Sequence, residues 1–166
     1  MKTRTQKIVM SALLAALVCV ATMIIKIPSP LNGYINLGDC VVLLSGWLLS
    51  PVYGFVAAGL GSALADLFSG YLIYAPATFI IKGLMAIVAY YGFKYLRKKF
   101  SETSARILCG AAAEIIMASG YFVFEGFLYG FAASMVNIPA NIVQGIAGLV
   151  LGVILIKVFE KNHIML

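Results

Sequence analysis

The chain has 166 residues, is 63% hydrophobic and only 11% charged, and has a mean hydropathy of +1.03. That balance excludes a soluble globular domain, whose surface needs far more charge, and the length leaves no room for a nucleotide-binding or separate catalytic domain. The net charge of +6 comes from lysines and arginines that flank apolar runs, a pattern of cytoplasmic loops and not of nucleic-acid binding.

At roughly 20 residues per helical span, the length fits about six spans. The basic flank of Lys2, Arg4 and Lys7 leads into a first predicted helix over about 8–27. It ends at Pro28-Ser29-Pro30, because proline cannot continue the helical ladder. Its length and the spans that follow identify it as a retained helix and not a cleaved signal. Ala12 and Ala16 form one small-xxx-small step on it, and Ser11 and Ala15 another; such steps let a second helix approach closely. Residues 28–38 form a polar loop with Asn32, Tyr34 and Asn36, suited either to a lid over an outward-facing pocket or to a plain surface loop.

A second helix is expected over about 39–49 and a third over about 52–68, both short for spans. Asp39 fits a first-turn role facing the helix macrodipole, with ligand contact as the alternative. Gly54, Ala58, Gly61, Ser62 and Ala65 mark an internal packing stripe on the third helix. Tyr71 and Tyr74 in the loop at 69–77, together with Trp47, read as interface anchors, with stacking on a ligand ring as the alternative. The fourth helix, about 78–95, carries Lys82, which pairs with Asp66 on the preceding helix unless Lys82 or Asp66 instead contacts a ligand. A basic segment over 94–106 precedes the fifth helix, about 107–129. After a turn at Gly130 the sixth runs over about 131–158.

Both termini and the 94–106 segment hold nearly all the basic residues, which places them on the cytoplasmic side. The expected architecture is therefore an all-α membrane protein of six transmembrane helices, one domain over 1–166, with the loop after the first helix outside. Cys19, Cys40 and Cys109 lie in apolar context as small core residues.

The informative residues are the charges inside apolar runs: Asp39, Asp66, Lys82, Glu114 and Glu125. A charge at the bilayer centre costs at least roughly 2.5–3.5 kcal/mol unless it is paired or faces a polar cavity. Glu114, Tyr121 and Glu125, spaced seven and four apart, share one face of the fifth helix. Asn137, Asn141 and Gln144, spaced four and three, share one face of the sixth. These two stripes either surround a small polar ligand or bond to each other as interhelical glue. The sequence carries no phosphate-binding glycine loop, nucleophile elbow or HExxH motif, and its single histidine is His163. No enzymatic activity, cofactor or metal site is expected. Uphill movement of a solute would need a partner or an ion gradient, and a stand-alone ion-coupled transporter or channel is the alternative reading.

The strings GYINLGD at 33–39, GSALADLFSGY at 61–71 and APATFIIKGL at 75–84, with the small-residue first helix and the polar loop after it, resemble the substrate-binding S components of energy-coupling factor (ECF) vitamin transporters. They look most like the pyridoxine and hydroxymethylpyrimidine branch. The resemblance implies a multi-pass protein of a prokaryotic cell membrane that captures a small heteroaromatic vitamin from outside. It further implies docking, through Ala12 and Ala16, on a transmembrane coupling subunit driven by two ATPases. The ligand contacts it implies fall on Tyr34, Asn36, Lys82, Glu114, Tyr121, Glu125, Asn137 and Asn141. Gln144 joins them from the spacing argument. The N-terminal histidine of the cobalt and nickel members is missing from Met1-Lys2-Thr3.

Overall fold

The structure, a computed structural model, describes residues 3–29 and 33–161; Lys2, Pro30, Asn32 and His163 of the sequence reading lie outside them. Helix α1 (Arg4–Ile24) opens with a capping box in which Thr3 and Gln6 satisfy each other's backbone donors. A two-stranded antiparallel ribbon follows, β1 (Lys26–Pro28) against β2 (Tyr34–Asn36), with Ile27 opposite Ile35. The remaining long elements are helical: α2 (Gly38–Leu48), α3 (Pro51–Phe68), α4 (Ala75–Leu96) and α5 (Glu102–Tyr129). The short α6 (Phe131–Ser134) and a 3-10 turn (Met135–Asn137) then lead into α7 (Ile138–Lys161).

Helix pairs α1–α3, α3–α4, α4–α5 and α5–α7 pack side by side, so these five form an arc. Helix α2 packs against α1, α3, α4 and α7 and fills its centre. Its residues 38–47 are all buried, as expected of a helix that is apolar on every side. Five helices among the described residues are long and apolar enough to cross a membrane, the last counted over Phe131–Lys161. The expected second span corresponds to α2, whose 11 residues extend only about 16 Å, roughly half the thickness of a bilayer's hydrocarbon core. It works as an interior helix, closed off at Ser50-Pro51 where α3 begins.

Two features of the ribbon region were hidden from pattern reading. The strands are three residues long, too short for a period-2 signal. Lys26, expected in the first helix, instead sits in β1, where its Nζ donates to Ser69 Oγ at 3.0 Å.

Helices α1 and α3 meet through small residues. A Cβ added at Gly61 would stand 2.3 Å from the Ala15 carbonyl oxygen, so only glycine permits this approach. Ser11 is buried and donates to the Tyr53 carbonyl at 3.1 Å. The Ser11–Ala15 step is therefore the internal seam, and the expected stripe from Gly54 to Ala65 is its counterpart. Ala12 and Ala16 lie on the opposite, exposed face beside exposed Leu13, Leu17 and Val20.

Trp47 is not an interface anchor. It is buried beneath α5 with Nε1 3.3 Å from Cys109 Sγ. The three cysteines are free and buried. At the other end of the molecule Arg106, read as part of a basic loop, is a helical residue buried against the Phe93 ring and paired with Glu160 at 2.5 Å. It clasps α5 to the end of α7.

Candidate functional site

A polar network begins at the buried end of α2. Asp39 has no exposed surface, and both its carboxylate oxygens are engaged. Lys82 of α4 pairs with Oδ1, and Gln144 of α7 donates from Nε2 to Oδ2 at 2.7 Å. Gln144 Oε1 then accepts from the Asn36 backbone at 3.0 Å and from Asn36 Nδ2 at 3.3 Å. Asn36 Oδ1 accepts from the Gly38 backbone at 2.9 Å, an Asx turn that starts α2. The carboxylate dictates the direction of the chain: Gln144 must turn its amide nitrogen to Asp39, so its oxygen faces Asn36. The expected Lys82–Asp66 pairing is thus corrected. The nearer side of α2 supplies the acid, because α2 lies inside the arc and reaches Lys82 first.

Asp66 is free of Lys82 and serves the ribbon. Tyr34 of β2 donates to Asp66 Oδ1 at 2.7 Å. Burial, reinforced by the Asp66 charge beside it, pushes the Tyr34 hydroxyl well above its ordinary pKa, so it stays a donor. The Tyr34 ring also lies 4.8 Å from that of Tyr71.

On the opposite side, α5 supplies Glu125. The left-handed turn at Gly130 (φ +89°) needs a residue without a Cβ. It folds α6 back so that Ser134 Oγ donates to the Phe122 carbonyl at 2.8 Å. The same fold-back brings Asn137 Nδ2 to Glu125 Oε1 at 2.8 Å. Tyr74, at the start of α4, points its hydroxyl at the same oxygen from 3.4 Å. Pro139 sits in the first turn of α7, where a missing N–H costs nothing.

Between these groups lies a pocket with a cavity volume of about 40 Å³, space for a few waters as the side chains stand. Its lining includes Tyr34, Asn36, Tyr121, Glu125, Asn137, Asn141 and Gln144, all singled out by the sequence reading. Two of the expected residues are not brought to it. Lys82 lies behind Tyr121, its Nζ 5.6 Å from the ring centroid, held by Asp39. Glu114 is buried further along α5 against Gly145 and Gly148 of α7, and neither carboxylate oxygen has a hydrogen-bond partner. Two helical turns separate Glu114 from Tyr121, so a shared face does not mean a shared depth.

Asp66, Tyr71, Tyr74 and Thr78 also line the pocket; the sequence reading held ligand contact as the alternative for Asp66 and ring stacking as the alternative for the two tyrosines, and did not single out Thr78. A signal was present: Tyr74, Thr78 and Lys82 repeat at intervals of four and form one polar stripe on α4. Thr78 Oγ1 lies 3.0 Å from the Tyr121 hydroxyl, joining that stripe to α5. Among the described residues no group of three or more His, Cys, Asp or Glu side chains is arranged to hold a metal ion.

Residues 2–161 match the family model described as the ECF-type riboflavin transporter S component. An uncharacterized protein of Pyrococcus woesei is 35% identical over 81% of this chain and 88% of its own length. A thiamine precursor transporter of Lactococcus lactis is 26% identical over 96% of this chain and 91% of its own length. The solved structure of the S component of a bacterial ECF transporter superposes with a TM-score of 0.78 at 26% identity, covering 96% of this chain and 98% of that one.

Proposed function

The chain belongs to the ECF-type riboflavin transporter S-component family, a multi-pass family of the prokaryotic cell membrane, and from that premise we propose that it captures a single-ring heteroaromatic vitamin or vitamin precursor, hydroxymethylpyrimidine or pyridoxine. The observation that carries this reading is the buried pocket itself. Polar side chains from β2, α3, α4, α5 and α7 converge there with four tyrosines. Buried polar groups in a membrane protein are retained where they face a ligand or a polar cavity. The Lactococcus relative is named for a thiamine precursor, which supports the pyrimidine. The family model carries the name of riboflavin, a three-ring ligand. The side chains leave little free volume, and a single ring needs the smaller displacement of them.

In this reading Glu125 and Asn137 accept hydrogen bonds from the ligand, Asn141 reads a further polar edge, and a tyrosine ring stacks on its face. The β1–β2 ribbon covers the pocket as a lid and opens to admit the ligand from outside. Both termini face the cytoplasm. The exposed Ala12–Ala16 step on α1 is the docking strip for the coupling subunit, and ATPases bound to that subunit drive release. No step of the cycle requires chemistry on the ligand.

Equilibrium titration of the purified chain with hydroxymethylpyrimidine and pyridoxine tests the assignment. Glu125→Gln and Asn141→Ala are each expected to weaken binding about tenfold or more, since each removes a polar partner from a desolvated ligand. Unchanged affinity in both would remove this pocket from the account.

A further inference from the structure

The polar atoms of the pocket are unbalanced. Asp66 Oδ2, Glu125 Oε2 and Asn137 Oδ1 are buried without a hydrogen-bond partner, and all three belong to lining residues. Each is an acceptor. The tyrosine hydroxyls at the carboxylates are already committed as donors, Tyr34 to Asp66 and Tyr74 to Glu125. Asn137 cannot turn its amide to become a donor, because its Nδ2 is held by Glu125 Oε1 at 2.8 Å and a flip would set oxygen against oxygen.

Among the described residues no lysine, arginine or histidine lines the pocket. Lys82 is taken by Asp39 behind the Tyr121 ring, and Lys26 at the ribbon is taken by Ser69. The two carboxylates also stand apart. Asp66 comes from α3 and Glu125 from α5, helices that both pack on α4, whose Thr78 also lines the pocket, as does Tyr74 at its start.

A buried acceptor without a donor is unfavourable, and a donor brought by the ligand relieves it. Resting on the reading of this chain as a vitamin-binding S component, we propose that the pocket selects a heteroaromatic ligand with N–H and O–H donors on two separate edges and no anionic group. An amino-bearing pyrimidine alcohol is the simplest molecule of that class. Asp66 is the specificity-determining residue for the amino edge, and Glu125 with Asn137 accepts from the hydroxyl edge. The same arrangement discriminates against phosphate esters, which would bring negative charge between two carboxylates with no lining cation to receive it.

The test is an equilibrium titration of the full-length chain in detergent. The probes are the amino-bearing hydroxymethylpyrimidine, its analogue without the amino group, its phosphate ester, pyridoxine and riboflavin. The amino-bearing alcohol binds tightest. Loss of the amino group weakens binding about tenfold or more, and the ester about a hundredfold or more, as for sites built around hydrogen bonds the analogue cannot make. Asp66→Asn weakens the amino-bearing probe about tenfold and leaves the analogue without it unchanged. Equal binding of the ester, or an equal loss for every probe in Asp66→Asn, overturns the proposal. Should Asp66→Asn fail to fold, the probe series on the unmodified chain decides the question alone. Tight riboflavin binding indifferent to Asp66 would overturn this inference and leave the S-component reading standing. Failure of every probe to bind would overturn both.

Discussion

Lys82→Met is expected to destabilise the protein by about 3–5 kcal/mol, the cost of leaving one member of a buried ion pair without its partner. Lys82 is 3% exposed and Asp39 fully buried, so water cannot take the place of the missing ammonium. Methionine matches the lysine stem in size, which keeps packing losses small and isolates the effect of charge. The double variant Lys82→Met/Asp39→Asn is expected to recover most of that loss. The neutral amide still accepts from or donates to Gln144, and no charge is stranded. Unfolding in detergent under increasing denaturant measures both. A single variant as stable as the parent would show that Lys82 and Asp39 are not paired in the membrane.

Gln144→Leu is expected to cost about 3 kcal/mol, because it strips partners from several buried groups at once. Asp39 Oδ2 loses its donor, and the Asn36 backbone and side-chain N–H groups lose their shared acceptor. The structural consequence reaches further than the energy. Gln144 is the tie between α7 and strand β2, which carries Tyr34 into the pocket. Releasing β2 should therefore lower ligand affinity about tenfold or more, even at temperatures where the variant is fully folded. A Gln144→Leu protein that loses stability but binds normally would make this residue a fastener of helices and nothing more.

The helical skeleton was legible because apolar runs and proline breaks are strong local signals. Ser50-Pro51 marks a real boundary, whereas α1 ends at Ile24, ahead of Pro28, which closes strand β1; each predicted helix still overlaps an observed one. Part of the pocket was legible too, since Tyr121, Glu125, Asn137, Asn141 and Gln144 follow from spacing on two consecutive helices. What spacing cannot supply is depth and neighbourhood. Glu114 shares a face with Glu125 but sits against Gly145 and Gly148, away from the pocket. Asp39 does lie in the first turn of α2, as its place in the sequence suggests. Only its central position makes it the partner of Lys82. Trp47 and Tyr74 match the composition of interface anchors, yet both are buried, one under α5 and one at the pocket wall. The ribbon escaped notice because three-residue strands have no period to read.

The small-residue seams divide along the same line. Both steps on α1 read alike in sequence. Only the fold separates the inner one, where Gly61 meets the Ala15 carbonyl, from the outer one at Ala12 and Ala16. The outer step lies exposed, as the proposed docking on a coupling subunit requires.

The most direct measurement of the proposed binding role is the time course of labelled hydroxymethylpyrimidine association with liposomes that contain this chain as their only protein. The account predicts a rapid plateau at one ligand per chain, insensitive to sodium or proton gradients. Continued accumulation beyond that ratio, driven by an imposed gradient, would contradict it and make the chain a stand-alone ion-coupled transporter.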